Sequence, residues 1–72
     1  GERYKAAGGL VCAFEMAGRD CWLLLPDTGA MAISGIDVPR PVTVIDLLTG
    51  IVGPESNVAG NEIKGPALLI SN

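Results

Sequence analysis

Glu15, Asp20 and Trp22 are the side chains whose types and spacing could do chemistry on a ligand. If the chain reverses between them, both carboxylates fall on the strand face that carries the indole. A ring flanked by carboxylates suits a saccharide, the ring stacking and the acids accepting hydrogen bonds. Glycoside hydrolysis also needs two carboxyls about 5 to 9 Å apart, which a hairpin here does not forbid. Nothing else along the chain closes a cleft around them, so solvated acids at strand ends are the simpler reading. The alternative for Trp22 is packing against a partner domain. No histidine is present, which removes Ser-His and Cys-His nucleophile pairs and any zinc site that needs imidazole. The loops around Gly53 and Gly60 lack the glycine spacing and following lysine of a phosphate cradle. No metal and no cofactor is expected.

The elements that must position these residues are strands. Residues 10–16 and 20–25 are two strand-length apolar runs around a short interval with Gly18, a hairpin signal. With Gly18 and Arg19 as the loop, Met16 faces Cys21, Phe14 faces Leu23 and Cys12 faces Leu25. That face is expected to be the core. Val11, Ala13 and Glu15 against Asp20, Trp22 and Leu24 then form a partly covered face. In this register the two thiols lie about 13 Å apart along the strands, whereas a disulfide needs Cα atoms within about 7 Å. Cys12 and Cys21 are expected to be free and buried.

Pro26-Asp-Thr-Gly29 ends the second strand, because proline lacks a ladder donor and the Asp and Gly favour a turn. A third strand is expected over residues 30–34, a stiff connection over 35–41 and a fourth strand over the β-branched run 42–47. Thr49-Gly50 turns into a short fifth strand at Ile51-Val52, and a last strand spans 62–64 and 67–71 with a break at Gly65-Pro66. No helical period is sustained over about 11 residues. The class is all-β, a small antiparallel β-sandwich of roughly five to seven short strands. Residues 10–72 form the single domain, and 1–9 read as a connector or tag remnant.

Three phrases in order, Asp20-Cys-Trp-Leu-Leu-Leu25, Val42-Thr-Val-Ile-Asp-Leu-Leu-Thr-Gly50 and Pro66-Ala-Leu-Leu-Ile70, resemble the C-terminal β-sandwich domain that follows the catalytic barrel in many glycoside hydrolases. The resemblance covers roughly residues 10 to 71, with a shorter front than the family's sandwich. It implies a domain that packs on a catalytic domain and can line its substrate cleft, with no catalyst of its own. Asp46 is expected to accept hydrogen bonds from turn backbone and Gly50 to take the positive φ of the reversal.

Leu23-Leu-Leu-Pro-Asp-Thr-Gly-Ala30 also looks like the catalytic segment of retroviral-type aspartic proteases. That likeness implies a homodimer in which Asp27 meets its twin and shares a proton with it, Thr28 braces the loop and Gly29 is the permissive backbone position. The chain departs from that pattern at Pro26 and in the short stretch between Asp27 and Ile51-Val-Gly53, which leaves little room for a flap. A stand-alone carbohydrate-binding module built on Trp22 is the third reading.

Seventy-two residues allow one domain that buries only about 60% of its unfolded surface, and 49% of them are apolar, so some apolar surface is expected to pack against a catalytic domain or another chain. The net charge of −3 and scattered bases make nucleic acid an unsuitable partner. The longest apolar run, residues 21–26, is far below the roughly 20 residues of a membrane helix. No signal peptide is read at the front, and the compartment is left open. On this reading Trp22→Ala weakens docking or sugar contact and leaves the fold intact in denaturation experiments.

Overall fold

Ala17 and Gly18 reverse the chain between two eight-residue strands, with φ of 52° and 77°. That left-handed pair makes a type I′ loop, whose twist matches the twist of the strands it joins. The computed structural model describes residues 1–6, 8–27 and 29–72. Its strands are β1 Glu2–Ala6, β2 Gly9–Met16, β3 Arg19–Pro26, β4 Met31–Ala32, β5 Val42–Asp46, β6 Val52–Pro54, β7 Glu62–Ile63 and β8 Ala67–Ser71. Three short 3-10 turns lie at Ile33–Gly35, Glu55–Asn57 and Ala59–Asn61.

The protein is a small all-β fold. Six strands form one sheet in the order β1-β2-β3-β8-β5-β6, and β4 pairs with β7 in a ribbon of its own. Every described pairing is antiparallel. The last strand lies at the centre: β8 sits between β3 and β5, with Leu69 opposite both Trp22 and Val44. A strand far along the sequence from β3 thus joins the two parts of the sheet, a non-local arrangement.

One sheet face carries Val11, Trp22, Leu24, Val42, Val44 and Leu69, all buried. Met31, Ile33, Ile36 and Val38 come down on them from the segment between β3 and β5, and Ile63 joins from β7. The segment is held in place by one side chain. The Arg40 guanidinium donates to the carbonyls of Ile33 (2.7 Å), Ile36 (2.6 Å) and Val38 (2.8 Å), and its Nε reaches Glu55 Oε1 at 3.1 Å. Three carbonyls of an irregular strap thus find a partner that no strand supplies.

Five expectations change. The β2–β3 loop is Ala17-Gly18, so the register runs Phe14–Cys21, Cys12–Leu23 and Leu10–Leu25. The two-residue slip keeps each side chain on its expected face but exchanges the roles of the faces: Val11, Trp22 and Leu24 are core, while Phe14 and Met16 are 37% and 50% exposed. Glu2–Ala6, read as a connector, pairs with β2 and raises the strand count to eight. The expected third strand is only two residues long before a 3-10 turn, and β7 and β8 are not one interrupted strand, since β7 belongs to the ribbon.

Trp22 retains only 9% of its exposure and packs in the core, so the expectation for its truncation reverses. Trp22→Ala is expected to cost about 3 to 5 kcal/mol in urea denaturation, the range for emptying an aromatic core site. Arg40→Ala is expected to cost about 2 kcal/mol, because the Val38 carbonyl loses its partner while the carbonyls of Ile33 and Ile36 keep only the amides of Ile36 and Val38. Arg40→Lys should recover little, because an ammonium cannot span the same acceptors.

Candidate functional site

The other face of the six-stranded sheet has no strap over it. Leu10, Cys12, Phe14 and Met16 on β2 alternate with the core residues, as do Cys21, Leu23 and Leu25 on β3 and Leu68 and Ile70 on β8. Ile45 and Val52 extend the same face across β5 and β6. Most of these side chains are half-buried by one another alone, and Val52 is 58% exposed. Both faces of β2 and β3 are thus apolar, the pattern of strands covered on two sides. Only one cover is present among the described residues.

The residues expected to do chemistry are not gathered on that face or into a cleft. Glu15 and Asp20 face each other across the hairpin, both exposed, with the Asp20 amide donating to Ser71 Oγ at 3.1 Å. Trp22 follows beneath the core cover and offers no ring to a sugar. The first of two described hollows, of about 360 Å³, lies between β5–β6 and the 55–67 segment and includes none of the three.

Asp27 is exposed beside Pro66 and Lys64, at a shallow hollow of about 430 Å³. Its amide donates to the Gly8 carbonyl at 2.8 Å, which ties the end of β3 to the start of β2. Among the described residues no hairpin folds over Asp27, because the chain passes from it into β4 and the strap. Gly29 is exposed with open space around it. Thr28 lies outside the described residues. Among the described residues no group of three or more His, Cys, Asp or Glu side chains could hold a metal ion.

Cys12 and Cys21 are both free and both belong to the uncovered face, Cys12 half-buried and Cys21 buried. The observed register makes them diagonal neighbours, about 7 to 8 Å apart rather than 13. Neither reaches the core cluster.

The hairpin joining β5 and β6 is built rigidly. Asp46 Oδ1 accepts from the amides of Leu48 (2.8 Å) and Thr49 (3.2 Å), the Gly50 amide donates to the Asp46 carbonyl at 2.7 Å, and Gly50 has φ of 78°. Thr49 Oγ1 accepts from the Ile51 amide at 3.2 Å, and the Leu47 amide donates to the Pro66 carbonyl at 3.1 Å. The result is a fixed turn whose apolar side chains point to solvent: Leu48 is 72% and Ile51 69% exposed. The signal for this turn was legible as Asp46 and Gly50. The apolar uncovered face was legible too, as runs with no polar alternation at 10–14 and 21–25.

Asp46→Ala is expected to cost about 1 kcal/mol in urea denaturation, as loss of a comparable capping carboxylate does, with Asp46→Asn costing less because it keeps an acceptor. No family model matches this chain, and no curated protein or solved structure matches it either.

Proposed function

We propose that this chain is a non-catalytic accessory β-domain of a carbohydrate-active enzyme, and that it packs on a catalytic domain through the uncovered sheet face. The observation that supports docking is the second apolar face itself, with Leu23, Leu68 and Ile70 at its centre and Phe14 and Met16 standing out from it. A sheet of this kind is one layer of a two-layer core whose other layer comes from elsewhere. The carbohydrate assignment rests on the order of the segments 20–25, 42–50 and 66–70 along the chain, which resembles that of the terminal sandwich of glycoside hydrolases.

Burial of Trp22 weighs against a stand-alone carbohydrate-binding module, since the chain's one tryptophan is committed to the core. An isolated Asp27 on an open loop weighs against the aspartic protease. Docking gives the exposed apolar face a reason that neither rival supplies.

The test uses the native full-length protein, assayed for hydrolysis of a panel of aryl glycosides and polysaccharides, beside its Leu68→Asp and Asp27→Asn variants. We expect hydrolysis of at least one glycoside and no change with Asp27→Asn. In Leu68→Asp the half-life of that activity on heating should fall about tenfold, because a docked face would bury the new charge. No glycosidase activity in the native protein, or an unchanged half-life in Leu68→Asp, would overturn the reading.

A further inference from the structure

Charge is divided sharply between the two sides of the sheet. Three of the five bases stand on the uncovered face: Arg3 opposite Cys12 and Lys5 opposite Leu10 along β1, and Arg19 opposite Met16 at the hairpin end. None of the eight acids stands there. Glu2, Glu15, Asp20 and Asp46 follow the alternation of the covered side. Asp27 and Asp37 lie in loops, Glu55 in a 3-10 turn beneath Arg40, and Glu62 in the ribbon. A chain of net charge −3 therefore presents a purely cationic border to whatever covers this face. The border occupies two adjoining sides, and the far side at β6 ends in Val52, apolar and exposed.

We infer that the face is covered by a neighbouring domain of the same polypeptide, whose surface has an apolar centre and carboxylates along the two sides that meet Arg3, Lys5 and Arg19. The inference rests on the docking reading above and adds the chemistry and orientation of the partner. Apolar area holds the contact, while complementary charge excludes wrong orientations and wrong partners.

Two other occupants fit worse. A second copy of this chain would meet the face with itself, since a two-fold contact is self-complementary. With no acid on the face, six cations would be brought toward one apolar seam with nothing to pair them. An anionic bilayer attracts basic residues, but insertion calls for apolar side chains that reach several ångströms into the lipid. Here Leu10, Cys12, Leu23 and Leu68 lie half-buried against one another, and only Phe14, Met16 and Val52 at the margins stand out.

Size favours a tethered domain over a free partner. Six strands about 4.8 Å apart and about five residues deep give a footprint on the order of 500 Å². Contacts between domains of one chain bury about 600 to 1,500 Å² over both sides, whereas separate chains commonly need about 800 Å² each.

Cys12 reports on the contact because its thiol lies on this face and is half-buried by its neighbours alone. The native full-length protein is labelled with a maleimide, and the rate at the Cys12 peptide is read by mass spectrometry. The set comprises wild type, the triple variant Arg3→Glu/Lys5→Glu/Arg19→Glu, and Lys64→Glu, whose lysine lies off the face.

We expect Cys12 to be protected in wild type and in Lys64→Glu. Labelling should be about tenfold faster in the triple variant, and faster in wild type at about 1 M salt, where charges are screened within a few ångströms. Protection that ignores both charge reversal and salt would overturn the acidic border while leaving docking in place. Fast labelling of wild type would remove docking and this inference together. Protection gained only with phosphatidylserine–phosphatidylcholine vesicles would assign the face to lipid. Protection lost as a dimer dissociates on dilution would assign it to a second copy, and either result overturns the proposal.

Discussion

The Arg40 guanidinium is the interaction on which the rest of the fold depends, because it turns an irregular strap into a cover for one face of the sheet. The carbonyls of Ile33, Ile36 and Val38 accept no strand hydrogen bonds, and the three converge on one planar fork at 2.6 to 2.8 Å. A fork of fixed geometry fits this task, since it satisfies several acceptors while ordering one side chain. The same cation reaches Glu55, so the strap is tied to the turn that follows β6. That ion pair is partly exposed and contributes little by itself. The backbone acceptors carry the argument. With the strap fixed, three apolar side chains complete the core around Trp22, Leu24 and Leu69.

A chain of this length has one strap to spend, and the sheet it makes has two apolar faces. The structure uses the strap on the Trp22 face, and among the described residues the Phe14 face has no second layer. The charges sort in the same sense: Arg40 is turned inward to the strap and Lys64 lies near the loops, while Arg3, Lys5 and Arg19 border the open face. Packing and electrostatics thus single out the same surface from independent directions. The rigid Asp46 turn closes the β5–β6 hairpin and holds Leu48 and Ile51 exposed without loosening the backbone.

Much of this was legible in the sequence, and the failures have identifiable physical causes. The β-branched run from Val42, the turn at Asp46 and Gly50 and the all-β class follow from local preference, and local preference decided them. The hairpin register turned on whether Ala17 could adopt a positive φ. Propensity places Gly18 with its polar neighbour in the loop, but the type I′ loop takes two left-handed residues, and Ala17 supplies one at 52°. Which face became the core could not be read from β2 and β3, because both faces are apolar. The strap decided it, and the strap depends on Arg40 meeting carbonyls two to seven residues away, which periodicity does not encode. β1 was missed because Glu2, Arg3 and Lys5 look like a solvated connector, although alternating charge with Tyr4 and Ala6 is what an edge strand half in water carries.

The uncovered face also couples stability to assembly. A 72-residue sheet with one cover leaves a large share of its apolar surface in water, so its folded state alone has little margin. A surface that binds the folded sheet and not the unfolded chain adds its binding free energy to the fold by mass action. In the proposed arrangement, tethering would raise the effective concentration of such a surface and make the gain available at any protein concentration. The cationic border serves that arrangement in a second way. During synthesis and folding an apolar sheet face is an aggregation hazard, and three like charges along its open edge repel identical faces while leaving an acidic partner free to approach. Under the proposed docking, the residues that would orient the partner would also keep copies of this chain apart before it is in place.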